Sequence, residues 1–131
     1  MVLCHILDDF VVQPVCLSQM KTKSWWVKEC EKVGADFKKY KDDYLVAITM
    51  YATSWSIMIL VPLMLMCDVP DTLLITLFAI NMIVHAVVDN LKANMGKINL
   101  FTDQIIHMWQ IIITFYVAVY RPHILDTLFG A

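Results

Sequence analysis

The chain has 131 residues, 60% of them hydrophobic, with a mean hydropathy of +0.64 and a net charge of −2. Ordinary soluble domains are about 45–50% apolar, so a water-soluble globule of this composition would expose large apolar patches. The first reading is therefore a single membrane domain, and the near-neutral charge speaks against a nucleic-acid partner. Four cysteines, Cys4, Cys16, Cys30 and Cys67, form neither a CxxC pair nor a zinc-ribbon spacing, so no disulfide is expected.

Residues 2–19 read as a membrane helix that is apolar most of the way round. His5, Asp9 and Gln13 form an i, i+4, i+8 ridge on one face, with Asp8 beside it, and Pro14 predicts a kink or a break. The stretch carries no basic n-region and is interrupted by acids, unlike a signal peptide. Residues 20–43 are the hydrophilic segment, with seven lysines among Glu29, Glu31, Asp36, Asp42 and Asp43. Trp25 and Trp26 at its start and Tyr40 and Tyr44 at its end suit headgroup depth, with a short interfacial helix between Trp25 and Tyr40.

Residues 44–67 are long enough to span about 30 Å of hydrocarbon, with Thr49, Thr53, Ser54 and Ser56 suited to close helix contact and Pro62 permitting a kink. A tight link at 68–71 precedes the next span, 71–94, where Pro70 and the nearby aspartates suit a helix start. Asn81, His85 and Asp89 make a second polar ridge there, and Lys92 reads as a snorkelling residue at the interface. A short link at 95–99 leads to a last span, 100–120, whose polar face holds Asp103, His107 and Gln104 or Gln110. The tail, 121–131, carries His123 and Asp126 and reads as surface.

Three of the four histidines thus have an aspartate one helical turn away: His5 with Asp9, His85 with Asp89, and His107 with Asp103. Ionisable groups are costly in hydrocarbon and normally face a partner, a cavity or an ion. Imidazole and carboxylate together suit Zn²⁺, Mn²⁺ or Fe²⁺. The expected metal ligands are His5, Asp9, His85, Asp89, Asp103 and His107, with Asp89 and Asp103 as the carboxylates available for catalysis. Gln13, Lys92, Gln104 and Asn81 would orient ligands or substrate. The rival reading is a structural His–Asp network that ties helices together.

Lysines concentrate at 20–43 and at 92–97 and are absent from 68–71. The positive-inside rule places the first two segments in the cytoplasm and the 68–71 turn outside. His85, Asp89, Asp103 and His107 then share the cytoplasmic part of the membrane. A first helix that crossed fully would leave His5 about 20 Å from Asp103 at about 1.5 Å per residue. The expectation is therefore three transmembrane helices plus a re-entrant or tilted N-terminal helix turning at Pro14, an all-α membrane bundle.

The ordered motifs His5-x-x-x-Asp9-Phe10-x-x-Gln13, Lys21-x-Lys23-Ser24, His85-x-x-x-Asp89-x-x-Lys92 and Asp103-Gln104-x-x-His107 resemble those of a family of small polytopic membrane proteins of phages, prophages and bacteria, classed as a domain of unknown function. The resemblance runs over residues 5–107 and implies a phage or bacterial protein of the inner membrane, multi-pass, without implying a reaction. Family members often carry a further His early in the second span, where this chain reads Ala47-Ile48-Thr49-Met50-Tyr51.

A divalent metal facing the membrane interior points to hydrolysis of a lipid or lipid-linked substrate. The alternatives are a non-catalytic phage membrane protein that modulates the host or counters a defence, and a proton- or ion-conducting oligomer. A chain this small suits a homo-oligomer or a host membrane protein as partner, with membrane lipid around it.

Overall fold

A computed structural model describes residues 1–12 and 14–129, less the side chains of residues 10, 12 and 121–129. Every element among the described residues is helical. The N-terminal segment comprises α1 (Val2–Leu7), one widened π-type turn (Asp8–Val12) and α2 (Val15–Met20). Pro14 is extended, with ψ 138°, so the predicted break falls where proline removes a donor and disfavours continuation. Gln13 lies outside the described residues.

The lysine-rich segment folds into α3 (Lys23–Val33) and a single turn, α4 (Phe37–Tyr40). Gly34 ends α3 in the left-handed region, φ 67°, which a residue without Cβ adopts without strain. The Asp36 carboxylate caps α4 by accepting from the Lys38 amide. Trp26 stacks on Tyr40 with ring centroids 6.4 Å apart, folding α3 against α4.

Three long helices follow: α5 (Asp43–Met66), α6 (Asp71–Ala93) and α7 (Leu100–Phe129). The first two match the spans read from the sequence to within one residue, and Pro62 lies inside α5 without ending it. The third continues as helix beyond Tyr120, where the sequence reading began a tail. The side chains of His123 and Asp126 lie outside the described set. By length and composition, Phe37–Met66, which joins α4 to α5, and Asp71–Ala93 could each cross a membrane.

The bundle buries many polar side chains and exposes many apolar ones. Its buried set includes His5, Asp8, Ser56, Asn81, His85, Asp89, Asp103, His107, Gln110 and Thr114. Its exposed set includes Ile57, Leu65, Ile75, Ile83, Phe101, Trp109, Ile113 and Phe115. Along the bundle the interior divides in two. Ile59, Leu60, Leu63, Val69, Leu77, Ile111 and Ala118 form a dry core toward the 67–70 link. Trp55 borders that core, and the titratable groups gather on its other side.

The N-terminal segment runs one way along this bundle. Met1 borders the same groove as Leu63, Met66, Cys67, Ile111 and Phe115. His5 meets Trp55, Asp8 meets Ser54, and Asp9 meets Tyr51. Lys21 then reaches Asp89, and Asn94 holds the Lys21 carbonyl and the Lys23 amide. The steady descent from residue 66 to residue 51 of α5 describes a tilted, broken helix antiparallel to α5 rather than one that dips and returns. The sequence argument against a crossing helix assumed that the site lies near one end of the bundle. Trp55 sits midway along α5, so His5 meets the other pairs without any reversal.

Candidate metal centre

α6 carries His85 and Asp89 one turn apart, and α7 carries Asp103 and His107 likewise, so each pair stands on a single helix face. Both faces turn inward: His85 is 0% exposed, Asp103 and His107 are 1% exposed, and Asp89 is 5% exposed. The His85 and His107 rings stack with centroids 4.2 Å apart. One donor atom from each of His85, Asp89 and His107 lies within 4.8 Å of the other two. Two donors about 2.1 Å from one ion are at most about 4.2 Å apart. A small side-chain adjustment therefore closes the set around a single cation.

Hydrogen bonds fix which lone pairs face the cluster. Gln110 Oε1 lies 3.1 Å from His107 Nδ1, and an amide carbonyl only accepts, so Nδ1 carries the proton. His107 Nε2 faces inward, 3.5 Å from Asp103 Oδ1, and in the neutral ring it would carry the lone pair. An outer hydrogen bond that orients one ring nitrogen and frees the other is the usual arrangement around a metal-ligating histidine. Neither nitrogen of His85 has a hydrogen-bond partner, and Asp103 Oδ1 also lacks one. His85 Nε2 is 3.6 Å from Asp89 Oδ2. Leaving buried polar groups unpaired costs about 1–3 kcal/mol each, and a cation held by one His85 nitrogen and by Asp103 Oδ1 would remove that cost at those two atoms, while the second His85 nitrogen would stay unpaired. The donor set of two imidazoles and a carboxylate, with Asp103 adjoining, fits Zn²⁺, Mn²⁺ or Fe²⁺.

The third pair sits differently. Trp55 Nε1 donates to His5 Nδ1 at 2.7 Å, and His5 Nε2 lies 3.2 Å from Gln104 Oε1. Indole N–H only donates, so His5 is neutral with its proton on Nε2, and its lone pair is directed at Trp55 rather than at the cluster. Asp9 accepts from the Tyr51 hydroxyl and, at 3.3 Å, from Gln104 Nε2. His5 and Asp9, expected as ligands, thus form a hydrogen-bonded wall beside the compact set. Asp103 takes an intermediate place: Lys92 Nζ lies 2.6 Å from its Oδ2, while Oδ1 stays unpaired.

The expected supporting residues divide in the same way. Gln104 joins His5, Asp9 and Asp103, and Lys92 holds Asp103. Asn81 lies one turn farther along α6, bonded to Thr114 and Gln110, and reaches the cluster only through the Gln110–His107 bond. Four participants escaped the sequence reading of the site. Trp55, 0% exposed, stacks on His85 with centroids 4.4 Å apart. Tyr51, one turn earlier, holds Asp9. Lys21 Nζ pairs with Asp89 Oδ2 at 2.9 Å, and Asp8 accepts from Ser54. The i, i+4 spacing of Tyr51 and Trp55 was the available signal, but in so apolar a helix it reads equally as packing.

A polar cavity of about 120 Å³ adjoins the cluster, lined by Asp9, Lys21, Tyr51, Asp89, Lys92, Asp103 and Gln104 among others. It links the buried site to the end of the bundle where α3 begins. All four cysteines are free, and none of them touches this cavity.

Comparison of the chain with protein-family models, with curated proteins and with solved structures finds no match.

Proposed function

We propose that this chain is a multi-pass protein of a bacterial inner membrane that holds a divalent cation between α6 and α7 and uses it to hydrolyse a lipid or lipid-linked substrate. The observation that carries this reading is the His85 imidazole: fully buried, unpartnered at both nitrogens, and clustered with Asp89 and His107 beside a polar cavity. Three spans, α5, α6 and the 100–120 part of α7, surround the site, with the N-terminal segment tilted against α5. The polar residues of α7 lower its hydropathy but lie on its buried face, which suits a span in a bundle. The phage or bacterial origin rests on the motif resemblance.

A divalent cation at this position supplies Lewis acidity to an ester or phosphoryl oxygen and acidifies water. The chain's own residues do the rest. His107 is held in the metal-competent tautomer by Gln110. The free Oδ1 of Asp103 is placed to receive a proton. An apolar groove lined by Ile80, Val84, Ile106 and Trp109 runs along the same two helices, α6 and α7.

One feature favours a second reading. Lys21 and Lys92 already neutralise Asp89 and Asp103, as they would in a polar network that only ties helices together. Such a protein would act without catalysis, by oligomerising or by binding a host membrane complex. Metal content of the detergent-purified chain, with H85A and H107A beside it, separates the two. Stoichiometric Zn, Mn or Fe lost in both variants supports the metal centre. A metal-free protein whose variants fold unchanged supports the network.

A further inference from the structure

Two ammonium groups enter the cavity from different elements. Lys21 comes from the end of α2, its backbone pinned to Asn94 at the end of α6, and Lys92 from the last turn of α6. Lys21 Nζ lies 2.9 Å from Asp89 Oδ2 and 3.7 Å from the centre of the Tyr51 ring, while Lys92 Nζ lies 2.6 Å from Asp103 Oδ2. Asp89 Oδ2 is also the oxygen nearest His85 Nε2, at 3.6 Å. An ammonium and a cation drawn to the same carboxylate repel each other, so Lys21 and a cation in the cluster compete for Asp89.

That competition changes the sign of the cavity. With both lysines charged and Asp9, Asp89 and Asp103 ionised, the lining carries a formal net charge of −1. A divalent cation brings it to +1 and frees an ammonium that still borders the same space. The cavity, about 120 Å³, holds several times the volume one water needs. Lysine is a general phosphate binder, acting as a mobile point charge.

We propose that Lys21 and Lys92 are displaceable counter-ions that become the seat for a phosphate group once a cation occupies the cluster, so that a phosphorylated ligand binds only after the metal. The inference rests on the metal-centre reading and gives its substrate class: a phosphomonoester headgroup, or free phosphate with the same chemistry. By linkage, phosphate must tighten metal binding by the same factor by which metal tightens phosphate.

The test is calorimetric titration of the full chain in a neutral detergent with Mn²⁺ alone, then with inorganic phosphate or dihexanoyl-phosphatidic acid, with and without Mn²⁺. Wild type should bind phosphate at least ten times more tightly with Mn²⁺ present. K21Q and K92Q should bind Mn²⁺ as tightly as wild type or more so, which also reports that they fold, and should lose at least tenfold in phosphate affinity. Preference for the phosphatidic acid identifies a lipid source, and equal affinity a free one. Phosphate affinity within twofold of wild type in both variants, or weaker Mn²⁺ binding in them, overturns the inference while leaving the metal centre in place. A wild-type chain that takes up no Mn²⁺ overturns both.

Discussion

His85 and His107 face each other across the α6–α7 interface with ring centroids 4.2 Å apart, yet only His107 has a hydrogen-bond partner. The asymmetry defines the site: one imidazole is oriented by Gln110, and the other is packed between Trp55 and His107 with both nitrogens unpaired.

A residue retained at a cost to stability should be replaceable by a more stabilising one. H85F keeps a flat ring against Trp55 and Tyr51 and removes two unpaired buried nitrogens. In metal-free protein it should raise stability by about 1–3 kcal/mol and abolish metal uptake. Thermal unfolding in detergent with chelator present checks the first outcome, and elemental analysis the second. A destabilised, metal-binding H85F protein would contradict both.

Among the described residues, Trp55 is the one that donates to His5 Nδ1. W55F leaves that lone pair buried without a partner and opens space beside His85. It should cost about 1–3 kcal/mol, read as a lower unfolding temperature. A loss below about 0.5 kcal/mol, the range of neutral surface changes, would show that the indole serves only as packing.

Asn81, Thr114 and Gln110 form a network one turn away from the cluster, and Gln110 hands its carbonyl to His107. N81L should cost about 1 kcal/mol, since interhelical hydrogen bonds in membranes average about 0.6 kcal/mol. It should also weaken metal binding, because a Gln110 released from Asn81 no longer fixes the His107 tautomer; losses of about 10-fold accompany such outer-partner changes. Metal affinity equal to wild type in N81L would detach this network from the site.

The proposed transmembrane arrangement predicts labelling sides. In a background where the four free cysteines are replaced by alanine, K28C should react with a membrane-impermeant maleimide only from the cytoplasmic side, and D68C only from the opposite side. Labelling of both from one face would mean that α5 does not cross the membrane.

Much of this arrangement was legible before any coordinates. Apolar runs of spanning length, bounded by charged and proline-containing links, set the bounds of α5 and α6 to within a residue. Spacings of i, i+4 put each His–Asp pair on one face, and the six residues named from them include the three that lie close together, His85, Asp89 and His107. Two things were not legible. The level at which helices meet depends on packing along α5, so the sequence left the N-terminal segment as either re-entrant or tilted with a kink or break at Pro14, and its contacts along α5 describe the tilted course. Long and aromatic side chains also report little about where they end. Lys21 lies in a lysine-rich, surface-like segment yet reaches 68 residues ahead to Asp89, and Trp55 looks like any aromatic in an apolar helix.

The most direct measurement is metal K-edge X-ray absorption on the purified, Zn-loaded chain. The account predicts a first shell of nitrogen and oxygen with the multiple-scattering signature of two imidazoles, reduced to one in H107A. A shell containing sulfur, or one of oxygen alone that H107A leaves unchanged, would contradict it.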